Sequence, residues 1–522
     1  MAPGRDRLSD APPLSWSAAL AEGQARLQRP DPLGALPYLL HAASPEAPHN
    51  EQADAHAALG RIRTGLGQDS LAAEHYRAVL ALRPTQPEAR FLLGRALLKL
   101  GWPDLAVATL ARLPGPVGGW WRDLVRQAGR RLSEARNQAR QGIAVLRQGD
   151  AAGSPDTLVR ALLRAGRLGP AQRLLAALPP TPERRWLAAA LLLRRREGFA
   201  DQALRAALRP PPGASPALRQ EAALRLIELG ETDAAAAALG DAVGGRLGQE
   251  LQAKLLLLQG RLPELAALSS VELARKPDRT EPARRLLTCQ VLAGEVPVWR
   301  EPDPRAGAAP RLALVQFWHD ANPPEDVRGV MDSWVHHHPD LELARFDTQT
   351  ARDFILAHQG QKVALAYDAC HNPALRSDML RLSFLAAQGG LWVDADERCL
   401  RPMYEVLARL PGIGLVAPFS DELPFYVHSY MLAAPPGSPV MAALLEAQMR
   451  LLREVLRGRA GLENWVSNGP GLITRIAARM PGQVALLAPA YWRSFAGDAD
   501  DLAYKRDESS DWRLAPRALS AR

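Results

Sequence analysis

The chain has 522 residues, too many for one hydrophobic core, so its length favours two or more domains. Hydrophobic residues make up 47% of it and charged residues 23%, which is typical of a soluble globular protein and excludes a disordered one. The net charge of +8 comes almost entirely from arginines spread along the chain. Without a localised basic stripe, we expect no nucleic-acid partner.

The cysteines and the distribution of apolar residues indicate where in the cell the protein is located. Cys289, Cys370 and Cys399 are far apart and form neither a CxxC pair nor a zinc-binding spacing, so neither a disulfide framework nor a structural metal site is implied. No apolar run approaches the length of a membrane span, and residues 1–13 lack the hydrophobic stretch of a signal peptide. We therefore expect a cytoplasmic protein with no transmembrane segment, and a peripheral position at the inner membrane face stays open.

Residues 53–113 repeat with a period of 34 residues. The matching pairs are Leu59 and Leu93, Gly60 and Gly94, Gly67 and Gly101, and Ala72 and Ala106. This pattern resembles the tetratricopeptide repeat, in which small residues let two helices cross closely while large residues fill the space to the next unit.

Helix–glycine–helix patterns continue around Gly166, Gly230 and Gly260 without the strict period. We therefore predict a tetratricopeptide-like α-solenoid over residues 1–295, with a plain α-helical bundle as the alternative. Solenoids of this kind are usually interaction surfaces, so the repeats are expected to hold a glycan, peptide or protein acceptor.

Residues 296–310, VPVWREPDPRAGAAP, contain four prolines and cannot sustain a helix, so we predict a linker there. After residue 310 the pattern changes. RLALVQFW and LELARF are typical of buried strands, and helical patterns follow them. Alternating strands and helices predict an α/β domain with a largely parallel sheet over residues 311–522.

The segment 374–402 carries the chemistry. Its first half is predicted as a helix that contains Asp378 and Arg381, three residues apart and therefore adjacent on the helix surface. Two glycines end this helix, a short apolar strand follows, and Asp394-Ala395-Asp396 emerges at the carboxyl end of the strand. Ligands bind beyond that end in open α/β sheets, and two carboxylates there suit Mg²⁺ or Mn²⁺.

Two other patterns look like metal sites. Asp498-Ala499-Asp500 is a second Asp-Ala-Asp, but it is predicted to lie in a polar loop with no strand before it. His336-His337-His338 is a run of three histidines, yet consecutive residues on a helix end cannot all face one ion. We expect this run to be a solvated surface.

The order of these features resembles the sugar-binding region of DXD-containing glycosyltransferases, often called glycosyltransferase family 32. The matching residues are Ser377, Asp378, Arg381, Gly389, Gly390, Asp394 and Asp396. The likeness extends more loosely over residues 311–515. It implies a multidomain chain in which the α-helical solenoid is followed by an α/β glycosyltransferase type A (Rossmann-like) domain, which moves a sugar from a nucleotide-diphosphate donor with retention at the anomeric carbon.

The resemblance also implies roles for individual residues. Asp396 would contact the metal, Mn²⁺ or Mg²⁺, and Asp394 would bridge to the metal or to the ribose. Asp378 and Arg381 would hold the donor sugar, because a carboxylate accepts from hydroxyl groups and a guanidinium donates to hydroxyl or phosphate oxygens. Asp378, Arg381 and Asp396 are the expected catalytic residues.

The remaining expected donor contacts lie outside that segment. The opening strand contributes Gln316 and Trp318, and Trp318 is expected either to stack on the nucleotide base or to lie in the core. The family usually ends with a tryptophan motif, whose nearest match here is Glu508-Ser509-Ser510-Asp511-Trp512. In it Asp511 would be a metal ligand and Trp512 a donor contact. His428 stands where the family often has asparagine.

Two rival functions belong to other classes. The chain could be a tetratricopeptide scaffold or adaptor whose nucleotide-sugar-binding domain has no catalytic activity, or a sensor that grips the donor without transferring it. The intact set of Asp378, Arg381, Asp394 and Asp396 argues against a decayed site.

Overall fold

The computed structural model describes residues 14–29, 31–113, 119–147, 154–196, 207–370, 372–457, 468–499 and 501–506. The chain divides into two compact units, one that ends at Leu262 and one that begins at Pro263, with the short segment 27–31 grouped with the second. None of the described helices is both long enough and apolar enough to cross a bilayer.

The first unit is built from helices, with no strand among its described residues. The helices are α1 (Trp16–Gln28), α2 (Pro32–Ala42), α3 (His49–Gly65), α4 (Asp69–Leu82), α5 (Pro87–Lys99), α6 (Pro103–Leu110), α7 (Gly119–Arg147), α8 (Pro155–Arg164), α9 (Leu168–Ala177), α10 (Pro182–Arg196), α11 (Pro216–Glu228), α12 (Thr232–Leu239) and α13 (Gly245–Leu258). Paired helices are joined by turns at Gly67, Gly101, Gly166 and Gly230, whose φ angles are 72°, 75°, 71° and 77°. Glycine adopts this left-handed conformation without steric cost, so the predicted helical hairpins are confirmed.

The repeated small residues pack as the 34-residue period predicts. A Cβ atom at Gly60 would lie 2.5 Å from the Tyr76 ring, and one at Gly94 would lie 2.5 Å from the Leu110 side chain. The two contacts are equivalent positions of successive repeats. Because only glycine allows this approach, the crossing of each helix pair is set by the sequence.

The second unit combines helices with a mixed sheet. Its helices are α14 (Leu262–Arg275), α15 (Thr280–Leu292), α16 (Glu325–His337), α17 (Thr348–Gln359), α18 (Gln361–Asp368), α19 (Pro373–Gln388), α20 (Tyr404–Leu407), α21 (Pro439–Leu456), α22 (Gly469–Ala477), α23 (Pro489–Arg493) and α24 (Ala503–Arg506). Its strands are β1 (Val298–Trp299), β2 (Ala313–Phe317), β3 (Glu342–Phe346), β4 (Gly390–Val393), β5 (Glu397–Cys399), β6 (Leu415–Pro418), β7 (Met431–Ala434), β8 (Val484–Leu487) and β9 (Ala496–Asp498).

Seven of these strands form one sheet in the order β1-β8-β6-β7-β4-β2-β3, and β5 and β9 form a separate pair. In the large sheet β7 runs against its neighbours β4 and β6, and the other pairs are parallel. The predicted α/β architecture with a largely parallel sheet is confirmed. Trp318, Asp394 and Tyr430 therefore meet at one edge, because the carboxyl ends of β2 and β4 lie beside the amino end of β7.

The division between the units differs from the expected boundaries of 295 and 310. Within the expected linker, Val298 and Trp299 form strand β1 beside β8, since these two of the four residues between Pro297 and Pro302 are still able to pair at a sheet edge. Helix α15 packs on α22, where Arg475 Nη1 donates to Thr280 Oγ1 at 2.8 Å. The helix pair predicted around Gly260 is divided between the units, because α13 belongs to the first unit and α14, from Pro263 on, belongs to the second.

Candidate functional site

Local interactions explain why α19 begins, why it ends at a glycine and why a buried strand follows. Asn372 caps α19, accepting from the backbone N–H of Ala374 at 2.8 Å, and Pro373 occupies its first turn. Gly389 ends the helix with a φ of 68°, and a Cβ there would lie 2.5 Å from the backbone nitrogen of Pro436. All four residues of β4 are buried, so Asp394 is the first residue to leave the core at the carboxyl edge of the sheet.

Arg381 joins the predicted residues into one cluster. Its Nη2 donates to Asp394 Oδ1 at 2.7 Å, and its Nη1 lies 3.4 Å from Asp378 Oδ1. The guanidinium also lies over the ring of Trp392, 4.9 Å from its centroid, and the indole N–H of Trp392 donates to the same oxygen of Asp394 at 2.8 Å. Arg381 is buried, so it holds two carboxylates in an environment where an unpaired charge is costly.

Asp378 lies at the deep end of this cluster. Its Oδ2 accepts from Asn468 Nδ2 at 3.0 Å, and Asn468 Oδ1 accepts from Gln448 Nε2 at 3.0 Å. Burial raises the pKa of Asp378 to about 7, although Arg381 opposes the shift. Burial likewise raises the pKa of Asp394 to about 6. Asn468 was missed by sequence reasoning, although the Asn-Gly-Pro signal of the α22 start marks its position.

Asp396 contacts a second group of residues. Its Oδ2 accepts from the hydroxyl of Tyr504 and from Lys505 Nζ, each at 3.0 Å. Lys505 Nζ also lies 2.5 Å from Asp498 Oδ1. Burial alone would lower the pKa of Lys505, but the charges of Asp396 and Asp498 outweigh burial and raise that pKa.

The expectation that the second Asp-Ala-Asp follows no strand is wrong. Asp498 ends strand β9, which pairs antiparallel with β5 so that Glu397 faces Asp498. The backbone N–H of Ala499 donates to the carbonyl of Asp396 at 2.9 Å. A three-residue strand is too short to give a periodic signal, so this pairing could not be detected in the sequence. Asp500 lies outside the described residues.

The side chains around Asp394 and Asp396 are of the type that holds a hard divalent cation, since carboxylate oxygens are the ligands preferred by Mg²⁺ and Mn²⁺. The carboxylates of Asp396 and Asp498 already converge on one cation, the ammonium group of Lys505. Among the described residues, no three His, Cys, Asp or Glu side chains are arranged as a complete metal site. The third expected ligand, Asp511, and the expected donor contact Trp512 lie outside the described residues.

The two residues of the opening strand have different environments. Trp318 is half-buried at the carboxyl end of β2, and its ring meets the edge of Tyr504 at 5.3 Å between centroids. Gln316 is fully buried, its Nε2 donates to the carbonyl of Met331 at 2.9 Å, and its Oε1 accepts from Arg345 at 2.9 Å. These bonds give Gln316 a structural role in place of the expected donor contact, whereas Trp318 remains at the site edge.

The expectation that the run His336-His337-His338 is a solvated surface holds for His336 and is wrong for His338. His336 is exposed, as expected of a solvated surface, but His338 is buried. The Nδ1 of His338 lies 3.0 Å from the carbonyl of Trp334, and its Nε2 accepts from the backbone N–H of Met403 at 2.8 Å. His338 is therefore a core residue that satisfies backbone groups. His428 is half-buried, and burial lowers its pKa to about 4.

Comparison with known proteins agrees with both resemblances. Residues 324–411 match the family model described as the glycosyltransferase sugar-binding region containing DXD motif, and residues 67–119 match the tetratricopeptide repeat. No curated protein sequence matches the chain significantly. The first span includes Asp378, Arg381, Asp394 and Asp396, so the part of the chain that matches this model places Asp394-Ala395-Asp396 at the carboxyl end of β4.

Among solved structures, the chain is similar to one titled "PaToxG Glycosyltransferase". The match has 14% sequence identity and a TM-score of 0.26, and it covers 42% of this chain and 79% of that chain. At this TM-score the likeness does not bear on the activity of this chain.

Proposed function

We propose that this protein is a retaining, metal-dependent glycosyltransferase of the type A fold that uses a nucleotide-diphosphate sugar. The match of residues 324–411 to the family model of the glycosyltransferase sugar-binding region supports this proposal. The observation that carries the proposal is the cluster around Arg381. One buried guanidinium links Asp378 of the helix to Asp394 of the strand end, and Asp396 lies two residues further on. The cluster forms where α/β sheets bind ligands.

The buried guanidinium has spare donors. The buried Nε of Arg381 has no hydrogen-bond acceptor among the described residues, and its buried Nη1 makes only the 3.4 Å ion-pair contact with Asp378 Oδ1. Buried donors are nearly always satisfied, so an additional acceptor belongs at this position. We assign that acceptor to an oxygen of the donor sugar or diphosphate, with Asp378 positioned to bind a sugar hydroxyl beside it.

A divalent ion held by Asp394 and Asp396 would neutralise the diphosphate and stabilise the charge that develops on the leaving group. The fold holds the carboxylate oxygens of these two residues at the carboxyl edge of the sheet. Asp394 is held by Arg381 and by the indole N–H of Trp392, while Asp396 is held by Tyr504 and Lys505. Asp511 is proposed as a further ligand of the ion, and Trp318 and Trp512 as aromatic contacts of the donor.

Retention is proposed from the state of Asp378, the deepest carboxylate. Its two oxygens are engaged by Arg381 and Asn468, and burial raises its pKa to about 7, so that a large part of it is protonated at neutral pH. Both features make it a poor nucleophile. We therefore propose that the acceptor oxygen bonds to the anomeric carbon on the face from which the diphosphate leaves. The acceptor proton passes to the departing phosphate oxygen.

The tetratricopeptide repeats are proposed to hold the glycan, peptide or protein acceptor. A cytoplasmic location is also part of the proposal. Cys289, Cys370 and Cys399 are all buried free thiols, which fits a reducing compartment.

The test is nucleotide release from UDP-glucose, UDP-N-acetylglucosamine and GDP-mannose, with and without Mn²⁺. Turnover identifies an enzyme, binding without turnover identifies a sensor, and neither identifies a scaffold. Asp396→Asn should abolish turnover because it removes the charge next to the metal. Asp353→Asn is the matched control, since Asp353 is an exposed aspartate of α17 in the same unit. Activity of Asp396→Asn at saturating Mn²⁺ would count against the proposal.

A further inference from the structure

Asn468 immediately precedes helix α22, in the position where an asparagine side chain normally caps a helix. A capping side chain accepts from a backbone N–H of the first turn and contributes about 1 kcal/mol. The side chain of Asn468 makes no such bond, although its backbone is extended, with a φ of −120° and a ψ of −171°. The start of α22 therefore does not explain the asparagine.

The side chain of Asn468 contacts two other polar side chains instead. Its Nδ2 donates to Asp378 Oδ2 at 3.0 Å, and its Oδ1 accepts from Gln448 Nε2 at 3.0 Å. All three are buried, with exposed fractions of 0% for Gln448, 2% for Asn468 and 7% for Asp378. Gln448 and Asn468, here called the amide pair, thus connect α21 to the carboxyl group of α19.

Gln448 has no other hydrogen-bond partner among the described residues. Its Oε1 is buried and accepts no hydrogen bond from them, and a buried acceptor without a donor costs about 1–3 kcal/mol. A methionine of similar length would fill this position of α21 without that cost. The packing of α21 therefore does not account for a glutamine here, whereas the bond to Asn468 does.

The effect of the amide pair depends on which end of each amide faces its neighbour. An asparagine side chain has an accepting oxygen and a donating NH₂ group, and a half-turn of the amide exchanges the two. Because Gln448 donates to Asn468, the oxygen of Asn468 faces Gln448 and its NH₂ group faces Asp378. An ionised carboxylate only accepts hydrogen bonds, so this orientation stabilises Asp378 as a carboxylate.

Asp378 is sensitive to such a bond. Burial raises its pKa to about 7, while the charge of Arg381 opposes the rise and that of Asp394 adds to it. Neither the ionised nor the protonated form then predominates strongly at neutral pH, so one donated hydrogen bond shifts the balance between them. Asn468 donates to Oδ2, whereas Arg381 faces Oδ1, so the two contacts act on different oxygens.

We propose that Gln448 is a positioning residue of the donor-sugar site, which acts through Asn468 to keep Asp378 an acceptor for a sugar hydroxyl. The inference rests on the proposed function, in which Asp378 binds the sugar of the donor. Its effect is confined to the sugar half of the donor, because the metal and the diphosphate are assigned to Asp394 and Asp396.

The test compares the affinity of the full-length protein for a sugar nucleotide with its affinity for the free nucleotide, by isothermal titration calorimetry with Mn²⁺ present. The pairs are UDP-glucose or UDP-N-acetylglucosamine with UDP, and GDP-mannose with GDP. Gln448→Met keeps the length of the side chain and removes its N–H groups. It should weaken binding of the sugar nucleotide by about three- to tenfold, the range for one lost hydrogen bond, and leave binding of the free nucleotide unchanged.

A second variant tests whether Gln448 acts through Asn468. Asn468→Ala should weaken sugar-nucleotide binding at least as much as Gln448→Met does, and the double variant should show no further loss. Gln359→Met is the matched control, because Gln359 of α17 also bonds to α19, donating to the carbonyl of Ser383 at 3.1 Å. This control should bind both ligands as the parent protein does. Circular dichroism checks that each variant is folded.

Three results would overturn the inference and leave the proposed function standing. They are equal sugar-nucleotide affinity in Gln448→Met and the parent protein, equal losses for sugar nucleotide and free nucleotide, which a merely structural role predicts, and additive losses in the double variant. If the parent protein binds neither the sugar nucleotides nor the free nucleotides, the proposed function itself fails, and the inference fails with it.

Discussion

Replacing Arg381 with methionine is predicted to destabilise the second unit in a strongly pH-dependent way. Methionine has a similar length but no charge, so Asp378 and Asp394 would remain buried near each other without the guanidinium between them. Removing one partner of a buried ion pair costs about 3–5 kcal/mol. This loss should appear in full at pH 8, where both carboxyl groups are ionised in the parent protein.

The sign of the pH dependence follows from the raised pKa values. Burial raises the pKa of Asp378 to about 7 and that of Asp394 to about 6, above the ordinary value of 3.8. The folded protein therefore binds more protons than the unfolded chain, and these groups lower stability as the pH rises from about 4 to about 7. Without Arg381 both pKa values rise further, so the slope steepens. Below pH 5 both carboxyl groups are protonated with or without Arg381, and the loss should shrink to about 1 kcal/mol for the missing hydrogen bond.

The measurement is urea denaturation of the full chain at pH 5 and pH 8 with EDTA present, followed by tryptophan fluorescence. Arg352→Met is the control, because Arg352 bonds to Asp368 at 2.8 and 3.0 Å on the surface and an exposed pair contributes little. A loss in Arg381→Met that is equal at the two pH values, or larger at pH 5, would refute the view of Arg381 as the counter-charge of two buried carboxylates.

Three further predictions concern single positions. Lys505→Met should raise the affinity for Mn²⁺ on the order of tenfold, measured by electron paramagnetic resonance without donor, because it removes a competing cation 3.0 Å from Asp396; an unchanged affinity would contradict this competition. Gly389→Ala should cost about 1–3 kcal/mol and lower the melting temperature, since its φ is 68° and its Cβ would meet backbone; an unchanged melting temperature would argue against the strained turn. Gly60→Ala should destabilise the first unit by about 1–3 kcal/mol because a tyrosine ring lies in the way, whereas Gly129→Ala, with nothing within 4 Å of the new Cβ, should stabilise it by about 0.5–1 kcal/mol. Thermal denaturation measures the melting temperatures of Gly60→Ala and Gly129→Ala. Equal changes in the two variants would contradict the packing argument.

The part of the site that could be predicted is the part that is local in sequence. A helix, a glycine stop, a buried strand and two carboxylates follow one another within about twenty residues, so the positions of Asp378, Arg381 and Asp394 could be derived. Their order needs no knowledge of distant contacts. The repeat period in the first unit was detectable for the same reason.

The part that could not be predicted depends on long-range pairing. Lys505 reaches Asp396 from more than a hundred residues away, and Asn468 reaches Asp378 from ninety. Gln316 was assigned to the donor by resemblance, but its burial and its bonds to Met331 and Arg345 follow from how β2 packs. Such roles are set by the tertiary fold, and neither propensity nor spacing encodes them.

The position of helices α14 and α15 determines where the helical repeats could be exchanged without disrupting the second unit. Both helices lie in the second unit, where Thr288 accepts from the backbone N–H of Phe425 and Thr280 accepts from Arg475 of α22. The natural seam for exchanging the repeat array is therefore the junction at residues 262–263, upstream of the prolines. An exchange of the chain up to residue 310 would remove β1 and leave the edge of β8 without its parallel partner, whereas an exchange at residues 262–263 would keep α15 and β1 with the second unit.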